Sequence, residues 1–240
     1  MPTTAERMRR FWDARSREDP FFFVDDTLAY REPDLERFWA GGERAVASLL
    51  ATLRLQLNHS DVVVDVGCGV GRLTRVLARR VAHVHALDVS GEMLARAREL
   101  NPDLANVDWL LGDGVSLRPV ADDSADAIVS WVVFQHIPDP EVTLSYVRDM
   151  GRVLRAGGWA ALQLSDDPRV HAPPPLRRRT AAVLRGLARR APRGRGAAEW
   201  RGAAVGLDRL RATAADAGLA VERVINPGSQ FCVVCLRRDR

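Results

Sequence analysis

The residues whose order first suggests chemistry are Asp65-Val66-Gly67-Cys68-Gly69-Val70-Gly71, three alternate glycines directly behind an acid. A glycine turn between a strand and a helix lets a ligand approach the backbone and admits positive φ. A dinucleotide fingerprint spaces its glycines GxGxxG and brings a pyrophosphate to the helix N-terminus. Here the spacing is GxGxG, and the Asp65 carboxylate repels a pyrophosphate but suits a ligand carrying an ammonium group. Asp88 follows Gly71 by 17 residues and ends the next apolar run, where an acid accepts both hydroxyls of a ribose. Met93, just beyond, either packs on a purine face or joins the core. Gly112-Asp113-Gly114 is a third strand-end acid, able to take an adenine amino group on its carboxylate and a ring nitrogen on a backbone N–H. His136, in Gln135-His136-Ile137-Pro138-Asp139, has an ordinary pKa of about 6.5 that suits a general base. The alternative is that it holds its loop by hydrogen bonds.

These residues need elements that end beside one another. Val46, Leu49, Leu50, Leu53 and Leu57 fall on one face of a helix at about 36–57. Apolar runs predict strands at 61–66, 83–88, 107–112, 125–132 and 159–165. Between them lie helices at 71–81, from a Ser90 cap to about 100, and at about 141–154, the last stopped by Gly157-Gly158. Continuous apolar strands alternating with helices give an α/β, doubly wound fold with a parallel sheet covered on both faces. The pattern breaks over 166–205, with Pro173-Pro174-Pro175, many arginines and a helix near 180–190. It resumes with a helix at 207–217 stopped by Gly218, then strands at 220–225 and 230–236 joined closely enough to be antiparallel. The chain thus divides into an aromatic arm and helix (1–58), a cofactor-binding core (59–165), an arginine-rich lid insertion (166–205) and the end of the core (206–240).

Composition narrows the class. The 240 residues are 47% hydrophobic and 28% charged, which excludes a mostly disordered or fibrous chain. No apolar stretch reaches the roughly 18 residues of a membrane span, and the first residues are too charged for a signal peptide. A soluble, cytoplasmic protein is expected. All 35 basic residues are arginine. Residues 168–201 hold ten arginines against Glu199, a local +9 that leaves −5 for the rest of a chain of net charge +4. Cys68, Cys232 and Cys235 are too few for a disulfide framework. The last two have CxxC spacing inside a strand, where residues three apart face opposite sides. His59, His83, His85 and His171 read as turn, strand-edge or surface residues, and no metal site is expected.

The Asp65–Gly71 turn, Leu87-Asp88, Gly112-Asp113, the stretch 126–139 (DAIVSWVVFQHIPD) and 153–158 (VLRAGG) resemble class I S-adenosylmethionine-dependent methyltransferases. More narrowly they are similar to the small-molecule group that includes ubiquinone and menaquinone biosynthesis enzymes. The resemblance covers about 60–165 well and 206–238 by architecture. It implies a Rossmann-like seven-stranded sheet of order 3-2-1-4-5-7-6 with strand 7 antiparallel. It implies S-adenosylmethionine as cofactor, S-adenosylhomocysteine as product, and in-line displacement at the sulfonium methyl. It gives Asp65, Gly67 and Gly69 the methionine part, Asp88 the ribose and Asp113 the adenine, with Ser130 and Gln135 near the sulfonium. Cys68, Val89, Met93, Gly112 and Gly114 complete the expected cofactor site.

The arm is either a lid over the cofactor, with Arg15 or Tyr30 reaching the methionine carboxylate, or packing for the sheet edge. Tyr30 and Trp131 are the expected substrate residues, Trp131 otherwise being core. If Arg177, Arg178 and Arg179 face the pocket, the small-molecule acceptor is an anion. A homodimer through the lid helix stays open. Three other readings are disfavoured. A nucleic-acid methyltransferase would use the arginines as a backbone patch, but Ser130-Trp131-Val132-Val133 is not the motif of base-methylating enzymes, and no lysine is present for a 2′-O-methylation tetrad. A catalytically silent partner fits poorly with a full set of site acids. A nicotinamide dehydrogenase fits poorly with GxGxG and Asp65.

Overall fold

The computed structural model describes residues 1–172 and 192–239. Three helices lead in: α1 (Thr4–Glu18), α2 (Pro20–Val24) and α3 (Leu35–Leu53). Strands and helices then alternate through β1 (Val62–Val66), α4 (Thr74–Ala78), β2 (His83–Asp88), α5 (Gly91–Leu100), β3 (Val107–Leu111), β4 (Ala125–Ser130), α6 (Pro140–Val153) and β5 (Leu154–Leu164). A four-residue helix α7 (Ala198–Arg201), α8 (Leu207–Asp216), β6 (Leu219–Ile225) and β7 (Cys232–Arg238) follow. The sheet runs β3-β2-β1-β4-β5-β7-β6, with β7 antiparallel to both neighbours, as the resemblance implied. The β-branched run of β1 is buried on both faces, as a central parallel strand requires.

Each face of the sheet carries its own core. Val46, Leu49 and Leu53 of α3 and Val76 and Leu77 of α4 cover one side, packed on Val63 and Val84. Val147 and Met150 of α6 and Leu210 and Ala214 of α8 cover the other, packed on Val64 and Ile128. Cys232 lies on the second side and Cys235 on the first, so strand alternation keeps the CxxC pair apart. Caps fix where helices begin: Thr3 and Glu6 form a capping box for α1, and Ser90 accepts from Met93 N at α5.

Several boundaries move from their expected places, each for a local reason. The helix expected from Gly71 is the short α4, because Gly69 and Gly71 adopt φ of +54° and +88°, which no α-helix accommodates. The helix at 36–57 ends at Leu53, where Arg54 turns left-handed. Gly157-Gly158 do not stop α6; they lie inside β5, which starts at Leu154 opposite Ala125 and shifts register before Trp159. β4 stops at Ser130, since Val132 takes φ of +60°. The helix near 180–190, Pro173-Pro174-Pro175 and Arg177–Arg179 lie outside the described residues.

The described flanks of the insertion are tied to the arm. Arg195 pairs with Asp26 at 2.6 Å, Arg7 with Glu199, and Arg193 N donates to Glu18. Among the described residues no helix is long and apolar enough to cross a membrane. Where α6 meets the end of α8, a Cβ on Gly151 would lie 2.1 Å from the Ala217 carbonyl oxygen. Gly151→Ala is therefore expected to cost about 1–3 kcal/mol by overpacking, read as a lower urea midpoint with an unchanged slope.

Candidate functional site

At the carboxyl ends of the parallel strands lies a cavity of about 1010 Å³, its open mouth included. This is where open α/β sheets hold ligands. Gly67 and Gly69, with φ of +75° and +54°, form its floor. Asp65, 2% exposed, projects from β1 and accepts the Thr74 hydroxyl at 2.6 Å. Asp88, at the end of β2, accepts Gly69 N at 2.9 Å and Ser90 N at 2.8 Å, so it braces the glycine turn against the next loop. Burial pushes the Asp65 carboxyl up to about 6, against the Thr74 hydrogen bond, with the neighbouring Asp88 charge adding to the rise. Burial likewise pushes Asp88 up to about 6 against its backbone hydrogen bonds.

The arm and two loops close the cavity. Met8 and Trp12 of α1 and Phe23 and Val24 of α2 line it. Asp13 of α1 accepts the Ser90 hydroxyl at 2.6 Å, and Arg9 donates to the Val89 and Gly112 carbonyls. After β4, Trp131, Val132 and Val133 form the opposite wall. Val132 holds its left-handed backbone despite a β-branched side chain, a conformation that stores strain of about 1–3 kcal/mol. The turn is matched by Gly67, where a Cβ would lie 2.4 Å from Val133.

Most of the expected cofactor residues converge on this cavity. Asp65, Gly67, Cys68, Gly69 and Asp88 line it, as do Val89, Met93 and Gly114. Four expected residues stand behind or beside the wall. Ser130 is fully buried and donates to the Val66 carbonyl, tying β4 to β1. Gln135 accepts from Gln163 and directs its amide nitrogen at His136. Gly112 gives its carbonyl to Arg9, and the Asp113 carboxylate turns back to accept the N–H groups of Val115 and Ser116. Tyr30 lies elsewhere, donating to Glu18 at 2.6 Å beneath Phe22. Arg15 also pairs with Glu18 and stacks on Phe11 and Phe23 away from the cavity.

His136 does line the cavity, but not as a free base. Its Nδ1 lies 2.5 Å from the Trp200 carbonyl oxygen and must donate to it, which leaves Nε2 to accept from the Gln135 amide at 3.2 Å. Burial pulls its pKa down to about 4, so the ring is neutral at physiological pH and both nitrogens are engaged. The pKa near 6.5 expected of an unburied histidine is corrected by this enclosure beside Trp12 and Trp200.

Two polar residues of the wall were not singled out from the sequence. Arg72, next after the glycine turn, is buried, pairs with Asp25 at 2.7 Å, and keeps a buried Nε without a partner. Gly42 of α3 makes room for it, since a Cβ there would lie 2.4 Å from the Arg72 carbonyl oxygen. Tyr146 reaches the cavity from α6 and is otherwise buried. The signal for Arg72 was its place beside the turn; that for Tyr146 was a polar tip on an otherwise apolar helix face.

Residues 64–162 match the family model described as a methyltransferase domain. Two curated relatives are the biotin biosynthesis bifunctional protein BioHC of Cellvibrio japonicus, 40% identical over 125 residues, and the trans-aconitate 2-methyltransferase of Azoarcus, 37% identical over 123. The matches cover 50% of this chain in both cases, and 23% and 45% of the two relatives, so the chain spans less than half the length of either. Among solved structures, magnesium protoporphyrin IX methyltransferase of Synechocystis with bound S-adenosylhomocysteine shares the fold, with a TM-score of 0.65 at 17% identity over 99% of this chain and 100% of that one. Residues 64–162 are thus similar to a methyltransferase domain, set in a fold that this solved methyltransferase shares.

S-adenosylmethionine, the cofactor of that family, can be tested against the donor set. The residues present fit its charged and polar end: Asp65 for the ammonium, Asp88 for ribose hydroxyls, and the Arg72 guanidinium in the same wall, with an Nε that lacks a partner, for a carboxylate. The acids also set a pH dependence. Their folded values of about 6 lie above the ordinary 3.8, so the ligand-free fold keeps protons that the unfolded chain releases. That contribution to stability is present below about pH 4 and is lost as pH rises through about 6. Ligand binding to ionised carboxylates runs the other way. The affinity for S-adenosylhomocysteine is expected to rise from pH 5 to a plateau above about 7, changing about tenfold per pH unit below 6 for each carboxylate that must ionise. Calorimetric titration across that range checks it.

Proposed function

We propose that this chain transfers the methyl group of S-adenosylmethionine to a small, largely apolar acceptor. The observation that carries the reading is a cavity with two acids at one end and an apolar, aromatic wall at the other. Asp65 binds the ammonium, Asp88 the ribose and Arg72 the carboxylate, while Met93 lies along the base and Trp131 along the acceptor. When bound, S-adenosylmethionine supplies a methyl group already activated by its sulfonium. The protein's own task is then to position the acceptor in line and keep water out. The Tyr146 hydroxyl orients a polar group of the acceptor. His136, neutral and doubly hydrogen-bonded, is a positioning residue that anchors the loop after β4 to the Trp200 segment.

The apolar wall also favours this acceptor over an anionic one. Among the described residues, the guanidinium in the wall is that of Arg72, which pairs with Asp25 and is taken by the cofactor's carboxylate, so none is left for an anionic acceptor. Arg169 and Arg195, two of the insertion's arginines, each stand beside an acid, Asp167 and Asp26, that a nucleic-acid backbone would meet as well. The small-molecule enzymes among the relatives lend further support.

Calorimetry should give micromolar S-adenosylhomocysteine binding that weakens tenfold or more in Asp88→Ala, about 1.4 kcal/mol. Absence of binding by folded wild-type protein would overturn the reading. For the acceptor, methyl transfer from labelled donor would be screened over planar apolar phenols, amines and carboxylates. With an acceptor in hand, Trp131→Ala is expected to raise its KM at least tenfold with donor affinity unchanged; an equal loss of donor affinity would remove Trp131 from the acceptor side.

A further inference from the structure

His83 and His85 stand two residues apart on β2 and so share one face of the sheet, and Asp108 of β3 is the register partner of His85. Their side chains converge on one point. His83 Nε2 lies 2.9 Å and His85 Nδ1 3.2 Å from the same Asp108 carboxylate oxygen. One donor atom from each residue falls within 4.8 Å of the other two. His83 Nε2 hydrogen-bonds the Asp108 carboxylate, whereas the buried His85 Nδ1 approaches the same oxygen without a well-aligned hydrogen bond.

Two imidazole nitrogens and a carboxylate oxygen aimed at a common point form a donor set that a cation completes. From this geometry we infer that His83, His85 and Asp108 bind a divalent late transition metal ion, such as Zn²⁺ or Ni²⁺, with water in the remaining positions. Imidazole with carboxylate suits those ions, whereas Mg²⁺ and Ca²⁺ prefer all-oxygen sites. Metal–nitrogen bonds of about 2.0–2.1 Å put neighbouring tetrahedral ligands about 3.3 Å apart. Two of the three separations already lie near that value, and a modest ring rotation closes the third. The Asp108 side chain is 52% exposed, which gives an ion a path in and leaves open positions to solvent.

The site is separate from the cavity. His85 and Asp88 are three strand residues apart, about 10 Å along β2, and Asp88 rather than either histidine lines the cavity. A metal here clamps the edge strand β3 to β2, and β3 leads directly into the Gly112–Gly114 turn.

The test uses the untagged full chain, stripped by a chelator and titrated with ZnCl₂ against a chromophoric competitor. One equivalent should bind with micromolar or tighter affinity, and MgCl₂ should not compete. His85→Gln and Asp108→Asn should each weaken Zn²⁺ at least tenfold and leave S-adenosylhomocysteine binding unchanged. X-ray absorption of the wild-type zinc complex needs no variant to fold, and should show two imidazoles and no sulfur shell. A sulfur shell at about 2.3 Å would put the ion on cysteine and overturn the inference. So would the absence of binding at about 1 mM Zn²⁺, or undiminished affinity in a folded His83→Gln, His85→Gln variant.

Discussion

Two carboxylates drawn away from bulk water, Asp65 fully and Asp88 in part, at the ends of adjacent parallel strands are the constraint around which the rest of the molecule is arranged. An acid at the end of a strand is ordinary; two, buried next to each other, repel and lose hydration. The fold offsets this locally with the Thr74 hydroxyl on Asp65 and the Gly69 and Ser90 backbone N–H groups on Asp88. The offset is incomplete, which is why both groups sit at about 6 and why a ligand bearing a cation and hydroxyls has something to gain there. The positive φ values of Gly67 and Gly69 belong to the same arrangement, in which the Gly69 N–H reaches Asp88.

The closure of the cavity follows from how three segments distant in sequence are bound to one another. The arm docks through Asp13 on Ser90, Asp25 on Arg72 and Arg9 on two loop carbonyls. The segment around Trp200 docks through its carbonyl on His136 and a close approach of Gly202 to Gln135. Between them, Trp12, His136 and Trp200 stack edge to face and in tilted contacts. Polar ties and aromatic rings thus hold the arm and the Trp200 segment together over the loop after β4, on the side of the cavity lined by Trp12 and His136.

The site residues legible in the sequence were those whose role is set by the backbone next to them. Asp65, Gly67, Gly69 and Asp88 were recognisable because a strand end followed by a glycine turn fixes where their atoms go. Ser130, Gln135 and Asp113 show the limit. Each occupies the expected loop, yet a side chain able to hydrogen-bond in two directions turned to a nearby backbone or amide group and away from the cavity. Tyr30 found Glu18, 12 residues away, before it could reach the cavity. Arg72 and Tyr146 were missed because their significance depends on Gly42, Asp25 and the cavity itself, none of which is their neighbour in sequence.

The sequence by itself determined the alternation of strands and helices, the parallel sheet with its antiparallel end, and the placement of the acids at strand ends. Those properties follow from hydrophobic periodicity, caps and glycines, which act over a few residues. Only the tertiary structure decided that His136 is neutral and fully engaged, that the arm supplies the aromatic wall, and that His83, His85 and Asp108 meet. The physical reason is common to all three: burial, hydrogen-bond partnership and convergence on a point depend on groups brought together across the fold, and a linear pattern does not encode which groups those are.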